Sequence, residues 1–155
     1  MDGQLDSLQK LPPQSVEMEQ SVLGAILQDN HALVRILEIL QERDFYQDAH
    51  RWIFQTMVDL FQDNVPIDVL TVTERLRKKG RFESAGGVAY LAELVEMVPT
   101  AAHVLHHAQV VREKAVLRAL IQTATTIVTE SYEDAEDVDT LLDRAEQAIF
   151  EIGQR

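Results

Sequence analysis

The chain has no cysteine among its 155 residues. That excludes disulfide staples, a cysteine-rich zinc site, a thiol nucleophile and a cysteine-held iron–sulfur cluster together. Glycine and proline are scarce, at six and four residues, too few turn-formers for an all-β chain of this length. No apolar run approaches the ~18 residues of a membrane span. The opening stretch, Met1 to Lys10, carries two aspartates and no hydrophobic block, so it does not read as a signal peptide. Cations are outnumbered: 14 Lys and Arg against 26 Asp and Glu leave a net charge of −12. A nucleic-acid surface needs clustered Lys and Arg to displace phosphate counterions, and this composition has the opposite sign. These absences predict a soluble, cytoplasmic protein with no membrane contact.

Hydrophobic residues make up 46% of the chain, ordinary for a globular domain able to bury a core. Their spacing is helical almost throughout. Residues 1–14 read as a flexible arm ending in Leu11-Pro12-Pro13-Gln14. Ser15 then caps a helix with Val16, Val22, Leu23, Ile26 and Leu27 as its apolar positions. Asn30 is expected to cap a short second helix through Leu33, Ile36, Leu37 and Leu40. A wide apolar face over Asp48 to Asp63 follows, with Trp52, Phe54 and Met57 among its members. Asp68 caps a helix that closes on Arg77-Lys78-Lys79 before Gly80, a basic last turn and a glycine stop. Ala85-Gly86-Gly87 opens another helix, which Pro99 ends.

The last third differs. Thr100 to Tyr132 holds neither Gly nor Pro, which predicts one helix of about thirty residues, near 45 Å long. An acid-rich turn, Glu130 to Asp139, separates it from a partner helix running from about Val138 to Ile152. The expected fold class is therefore all-α: a compact bundle of short helices over 15–99, then a long antiparallel helical hairpin over 100–155. Leu117, Leu120, Ile121, Ala124 and Val128 form one apolar stripe, and Leu141, Leu142, Ala145, Ile149 and Ile152 the other. Packed against each other, these stripes leave apolar surface over, which a second copy of the hairpin would cover.

Chemistry-bearing clusters are few. His103 and His107 share a four-residue spacing, with His106 beside them, but no further ligand completes a metal site. The acids from Glu130 to Asp139 lack the Asp-x-Asp-x-Asp-Gly loop of a calcium site and read as a solvated turn. Gly86-Gly87 has neither the lysine nor the preceding strand of a phosphate loop. Arg77-Lys78-Lys79 with Arg81 is the one basic cluster; helix-end electrostatics explain most of it, leaving at most a minor phosphate contact. The residues thus predict no catalytic, nucleotide-binding or metal residues and no cofactor.

Several motifs together carry a resemblance. Pro12-Pro13-Gln14-Ser15-Val16-Glu17, then Glu19-Gln20-Ser21-Val22-Leu23-Gly24, resemble the opening of the bacterial replicative DNA helicase family, the DnaB type. The pattern continues through Asp44-Phe45-Tyr46, His50, Ile53-Phe54, Pro66-Ile67-Asp68, Gly86-Gly87-x-Ala89-Tyr90-Leu91 and Val111-Arg112-Glu113-Lys114. Read physically, these residues are mostly scaffold. Leu23, Phe45, Tyr46, Trp52, Phe54, Tyr90 and Leu91 are the expected core, and Gly24 allows two helices to approach closely.

The resemblance implies an isolated amino-terminal domain: a non-catalytic collar that dimerises through the hairpin, assembles as a trimer of dimers in the full hexamer, and docks primase. It implies a linker and a RecA-like ATPase beyond Arg155, with ATP and magnesium bound only there. DNA would be met only through the full-length ring at replication forks, and a helicase loader is a further expected partner. The competing reading is a stand-alone helical adaptor, such as the helicase-binding domain of a primase, which shares the bundle-plus-hairpin shape.

Overall fold

A computed structural model describes residues 10–98 and 100–154. Seven α-helices and one 3-10 turn occur among them, with no strand. They are α1 (Val16–Gln28), α2 (Ala32–Ile36), the turn Glu42–Asp44, α3 (Asp48–Gln62), α4 (Val69–Lys78), α5 (Gly87–Met97), α6 (Val104–Glu133) and α7 (Val138–Gly153). The all-α expectation holds. The expected arm lies largely outside the described residues, as does Pro99. The chain forms two compact units, one of Gln14–Ala115, the other of Val116 onward with the segment ending at Pro13.

Local signals account for most boundaries. The Ser15 hydroxyl accepts from the Met18 amide at 3.3 Å. Asp68 and Thr71 cap each other reciprocally at the start of α4, and the Asp137 carboxylate accepts from the Thr140 hydroxyl at 2.9 Å. Gly80, at φ 69°, ends α4: its own amide donates to the Arg77 carbonyl and the Arg81 amide donates to the Leu76 carbonyl. Asn64, at φ 58°, does the same for α3.

Two expectations need correction. Asn30 is not the cap of α2, which starts at Ala32 without a side-chain cap. Its amide instead bridges distant backbone: Oδ1 accepts from the Ile67 amide at 2.8 Å, while Nδ2 donates to the Ile26 and Ile67 carbonyls. The Ile67 loop otherwise has no ladder, and a side chain with both donor and acceptor satisfies it best. The long helix starts at Val104 rather than Thr100, leaving His103 in the preceding turn.

The core of the first unit is aliphatic with two tilted rings, Phe45 and Phe54, whose centroids lie 4.9 Å apart. Leu23 and Leu91 are buried with them as expected. Tyr46, Trp52 and Tyr90 are only half-buried: Trp52 carries the Arg81 guanidinium on one face, and Tyr90 keeps its hydroxyl in a polar network. Helices α1 and α5 cross at Gly24, where a Cβ would run into the Leu94 carbonyl and come within 2.8 Å of a Val98 methyl. The clash is with backbone, so Gly24→Ala should force the helices apart. Overpacking of this kind costs about 1–3 kcal/mol, read as a lowered urea midpoint with the slope unchanged.

Candidate functional site

Two features stand out once the fold is in place, one in each compact unit. The first is a buried polar network. Glu19 on α1 and His50 on α3 are each 1% exposed. The Glu19 carboxylate accepts from the Tyr46 amide at 2.7 Å, the Gln47 amide at 3.3 Å and the His50 ring at Nδ1 at 2.8 Å. It thereby caps the entry to α3 from another helix, placing negative charge where the helix dipole favours it. His50 Nε2 lies 2.5 Å from the Tyr90 hydroxyl on α5, which also accepts from Gln20 Nε2 at 3.1 Å.

One proton arrangement satisfies every group. Nδ1–H donates to Glu19, the Tyr90 hydroxyl donates to Nε2, and Gln20 donates to the Tyr90 oxygen. Burial raises the Tyr90 pKa above its ordinary value, with Glu93 and Glu19 adding to the effect and the Gln20 hydrogen bond opposing it. A raised phenol pKa means the folded state holds that proton more tightly than the unfolded chain does. The associated stability is complete below the ordinary phenol range near pH 10 and is lost as pH rises through the folded value. Tyr90 should therefore ionise above that range in an ultraviolet phenolate titration, and Tyr90→Phe should remove that late component. The network opens on a shallow cleft of about 260 Å³ lined by Val16, Gln47, Ala49, Glu83, Ser84 and Gly86.

The sequence motifs contain Glu19, His50 and Tyr90, yet spacing gives no hint that they converge. The available signal was a carboxylate and an imidazole in helical register with the apolar faces of α1 (Val22, Leu23, Ile26) and α3 (Ile53, Phe54, Met57), since charged groups enter a core only when paired.

The second feature is the hairpin. Burial along α6 ends at Val111, and α7 buries no residue at all. The α6 stripe expected to pack against α7 does not: Leu117, Leu120, Ile121, Ala124 and Val128 are all exposed. The side of α6 turned to α7 is instead Ala119, Thr123, Thr126 and Ile127, meeting Ala145 and Ala148 across a cleft of about 390 Å³. Helical periodicity puts the two sets on different sides of α6. Small residues fill the inner side, so the large aliphatic ones are left outward. On α7, Leu141, Ala145 and Ile152 are half-buried, whereas Leu142 and Ile149 are exposed. Arg144 ties the hairpin's end, pairing with Glu130 at 2.7 Å and Glu136 at 2.6 Å. Arg118 donates to the Pro13 carbonyl at 2.8 Å.

His103 and His106 are exposed and His107 is half-buried. Partial burial and the two neighbouring histidines lower the pKa of His107. Among the described residues no group of three or more His, Asp or Glu is placed to hold a metal ion, and no helix is long and apolar enough to cross a membrane.

The sequence and the fold both have counterparts among known proteins. Residues 11–113 match the family model of the DnaB-like helicase N-terminal domain. The chain belongs to this family. The replicative DNA helicase DnaB of Geobacillus stearothermophilus is 47% identical over 147 residues, covering 95% of this chain and 32% of that protein. The N-terminal domain of the DnaB helicase of Mycobacterium tuberculosis superposes with a TM-score of 0.87 at 38% identity, over 91% of this chain and 99% of that one. A DnaB-like replicative helicase whose structure was described with its interactions with primase superposes at 0.72, with 27% identity, over 89% of this chain and 31% of that one. The chain thus spans about a third of the length of the Geobacillus stearothermophilus and Bacillus subtilis helicases it matches. The DnaB-type motifs at Glu19, His50 and Tyr90 are what the buried network is made of.

Proposed function

We propose that this chain is a non-catalytic collar domain of a replicative DNA helicase, serving assembly and primase docking. The observation that carries the assembly half is the uncovered aliphatic face of the hairpin. Leu117, Leu120, Ile121 and Val128 on α6, with Leu142 and Ile149 on α7, are 40–54% exposed. Residues 116–129 hold a single charged side chain, Arg118. Scattered surface leucines need no explanation, but a continuous stripe without charge marks an interface. Self-association through a two-fold contact is the commonest way to cover such a face, and three such pairs would make the collar of a hexamer.

The primase half rests on the DnaB-like helicase described together with primase. A ring would present several docking sites at once, so a lone domain should bind weakly. Calorimetry with the helical domain of the cognate primase should give a weak signal for this chain and a strong one for the assembled full-length helicase. No heat from the full-length helicase would overturn the docking reading.

Catalysis, with ATP and magnesium, would belong to a motor outside these residues, and the whole protein would act in the cytoplasm. This chain should neither hydrolyse ATP nor retain single-stranded DNA at physiological salt, since its charge of −12 opposes a polyanion. Phosphate release above a buffer blank, or DNA binding in the micromolar range, would contradict this.

A further inference from the structure

The basic cluster that ends α4 is divided by its neighbours into two kinds of cation. Arg75 pairs with Asp63 at 3.0 Å, and Lys79 pairs with Asp59. Arg77, Lys78 and Arg81 are exposed and, among the described residues, meet no carboxylate. Helix-end electrostatics cannot account for all three, because Arg81 lies beyond Gly80, outside the helix. Nor are two of them free to wander. The Arg77 guanidinium stacks 4.4 Å over Phe82, and that of Arg81 4.0 Å over Trp52. Stacking holds a guanidinium plane while leaving its in-plane N–H fork open, and that fork matches a carboxylate. In a chain with 26 acids to 14 bases, three cations close in sequence and without an acid partner among the described residues leave positive charge open to a partner.

The same chain carries a fitting acidic segment. In the turn between α6 and α7, Glu130 and Glu136 are occupied by Arg144, and Asp137 caps α7. Glu133 and Asp134 are exposed and make no ion pair among the described residues. Asp134 sits at φ 50°, where the chain leaves α6. Net charge of −12 on each copy opposes approach at long range, but screening over about 8 Å at physiological salt confines that repulsion. A nucleic-acid strand suits the receptor less well, because the aromatic faces that would stack bases are covered by arginine.

We propose that the Arg77–Lys78–Arg81 surface of one copy receives the Glu133–Asp134 turn of a second copy, in a head-to-tail contact distinct from the hairpin pairing. The inference deepens the assembly reading and rests on it for the presence of several copies. The contact is ionic, so its signature differs from that of an apolar stripe. Sedimentation of the whole chain should show species larger than the hairpin pair at physiological salt, reduced to that pair at about 1 M salt, where screening reaches about 3 Å. Arg77→Glu with Lys78→Glu should abolish the larger species, as should Glu133→Lys with Asp134→Lys. Combining all four substitutions should restore them. Leu120→Asp keeps the two readings apart, since it should break the hairpin pair yet leave a salt-sensitive association. All sites are exposed, and unchanged circular dichroism would verify folding. The proposal is overturned if no salt-sensitive species forms, if either reversal leaves it intact, or if the fourfold exchange fails to restore it. It is overturned equally if a polyglutamate peptide binds the Arg77 surface while the chain itself does not associate.

Discussion

Glu19→Ala should be among the most damaging single substitutions in this chain. Its carboxylate accepts three donors, two of them backbone amides at the entry to α3 and the third the buried His50 ring. Alanine would leave all three without their acceptor. Each buried donor left without an acceptor costs about 1–3 kcal/mol, so the three together should remove several kcal/mol from a total stability of about 5–15 kcal/mol for a domain of ordinary size. Glu19→Gln keeps the shape but turns an amide N–H₂ toward donors, so about 1–3 kcal/mol is expected from the unsatisfied group. Tyr90→Phe removes a half-buried hydroxyl and should cost about 1 kcal/mol. Urea unfolding of the three variants should return this order. A loss under about 1 kcal/mol for Glu19→Ala would mean that water replaces the carboxylate and that the network does not hold the three helices together.

That ranking could not have come from the sequence. Periodicity placed nearly all the helices, because an apolar face with a hydroxyl or carboxylate cap at one end and glycine at the other is written locally. Ser15, Asp68, Gly80 and Asp137 behave as their positions suggest. Local signals fail where a side chain serves distant backbone. Asn30 has the look of a cap but is used 37 residues away at Ile67. Glu19 reaches residues 27 and 28 positions on, and His50 reaches Tyr90 across 40. Nothing in spacing records such pairings; the family-like motifs of this chain contain the residues without saying what they do. The hairpin shows the complementary error. Both stripes were legible, but which one faces inward depends on side-chain size at the helix–helix contact. Alanine and threonine allow close approach there, and leucine does not.

This inversion raises the expected effect of Leu120→Asp. Leu120 is 40% exposed in the single chain, so an aspartate there meets water and should leave the fold intact. In a paired hairpin the same carboxylate would be buried without a partner, once from each copy, at a cost of several kcal/mol apiece. The association it opposes has little in reserve. Six aliphatic side chains per copy stand about half exposed, and covering each recovers on the order of 1 kcal/mol. Two copies together therefore gain on the order of 10 kcal/mol, comparable to the ~4–15 kcal/mol lost in rotational and translational freedom. At about 1 M salt, where ionic contacts are screened, the wild-type chain should still pair with modest affinity, and Leu120→Asp or Leu142→Asp should reduce its mass by half in light scattering. Thr129→Asp, on another side of α6, should leave the pair intact. Circular dichroism should stay helical in all three, since Leu120, Thr129 and Leu142 are all exposed. A wild-type chain that is monomeric at high concentration, or a pair that survives both leucine substitutions, would place the interface elsewhere.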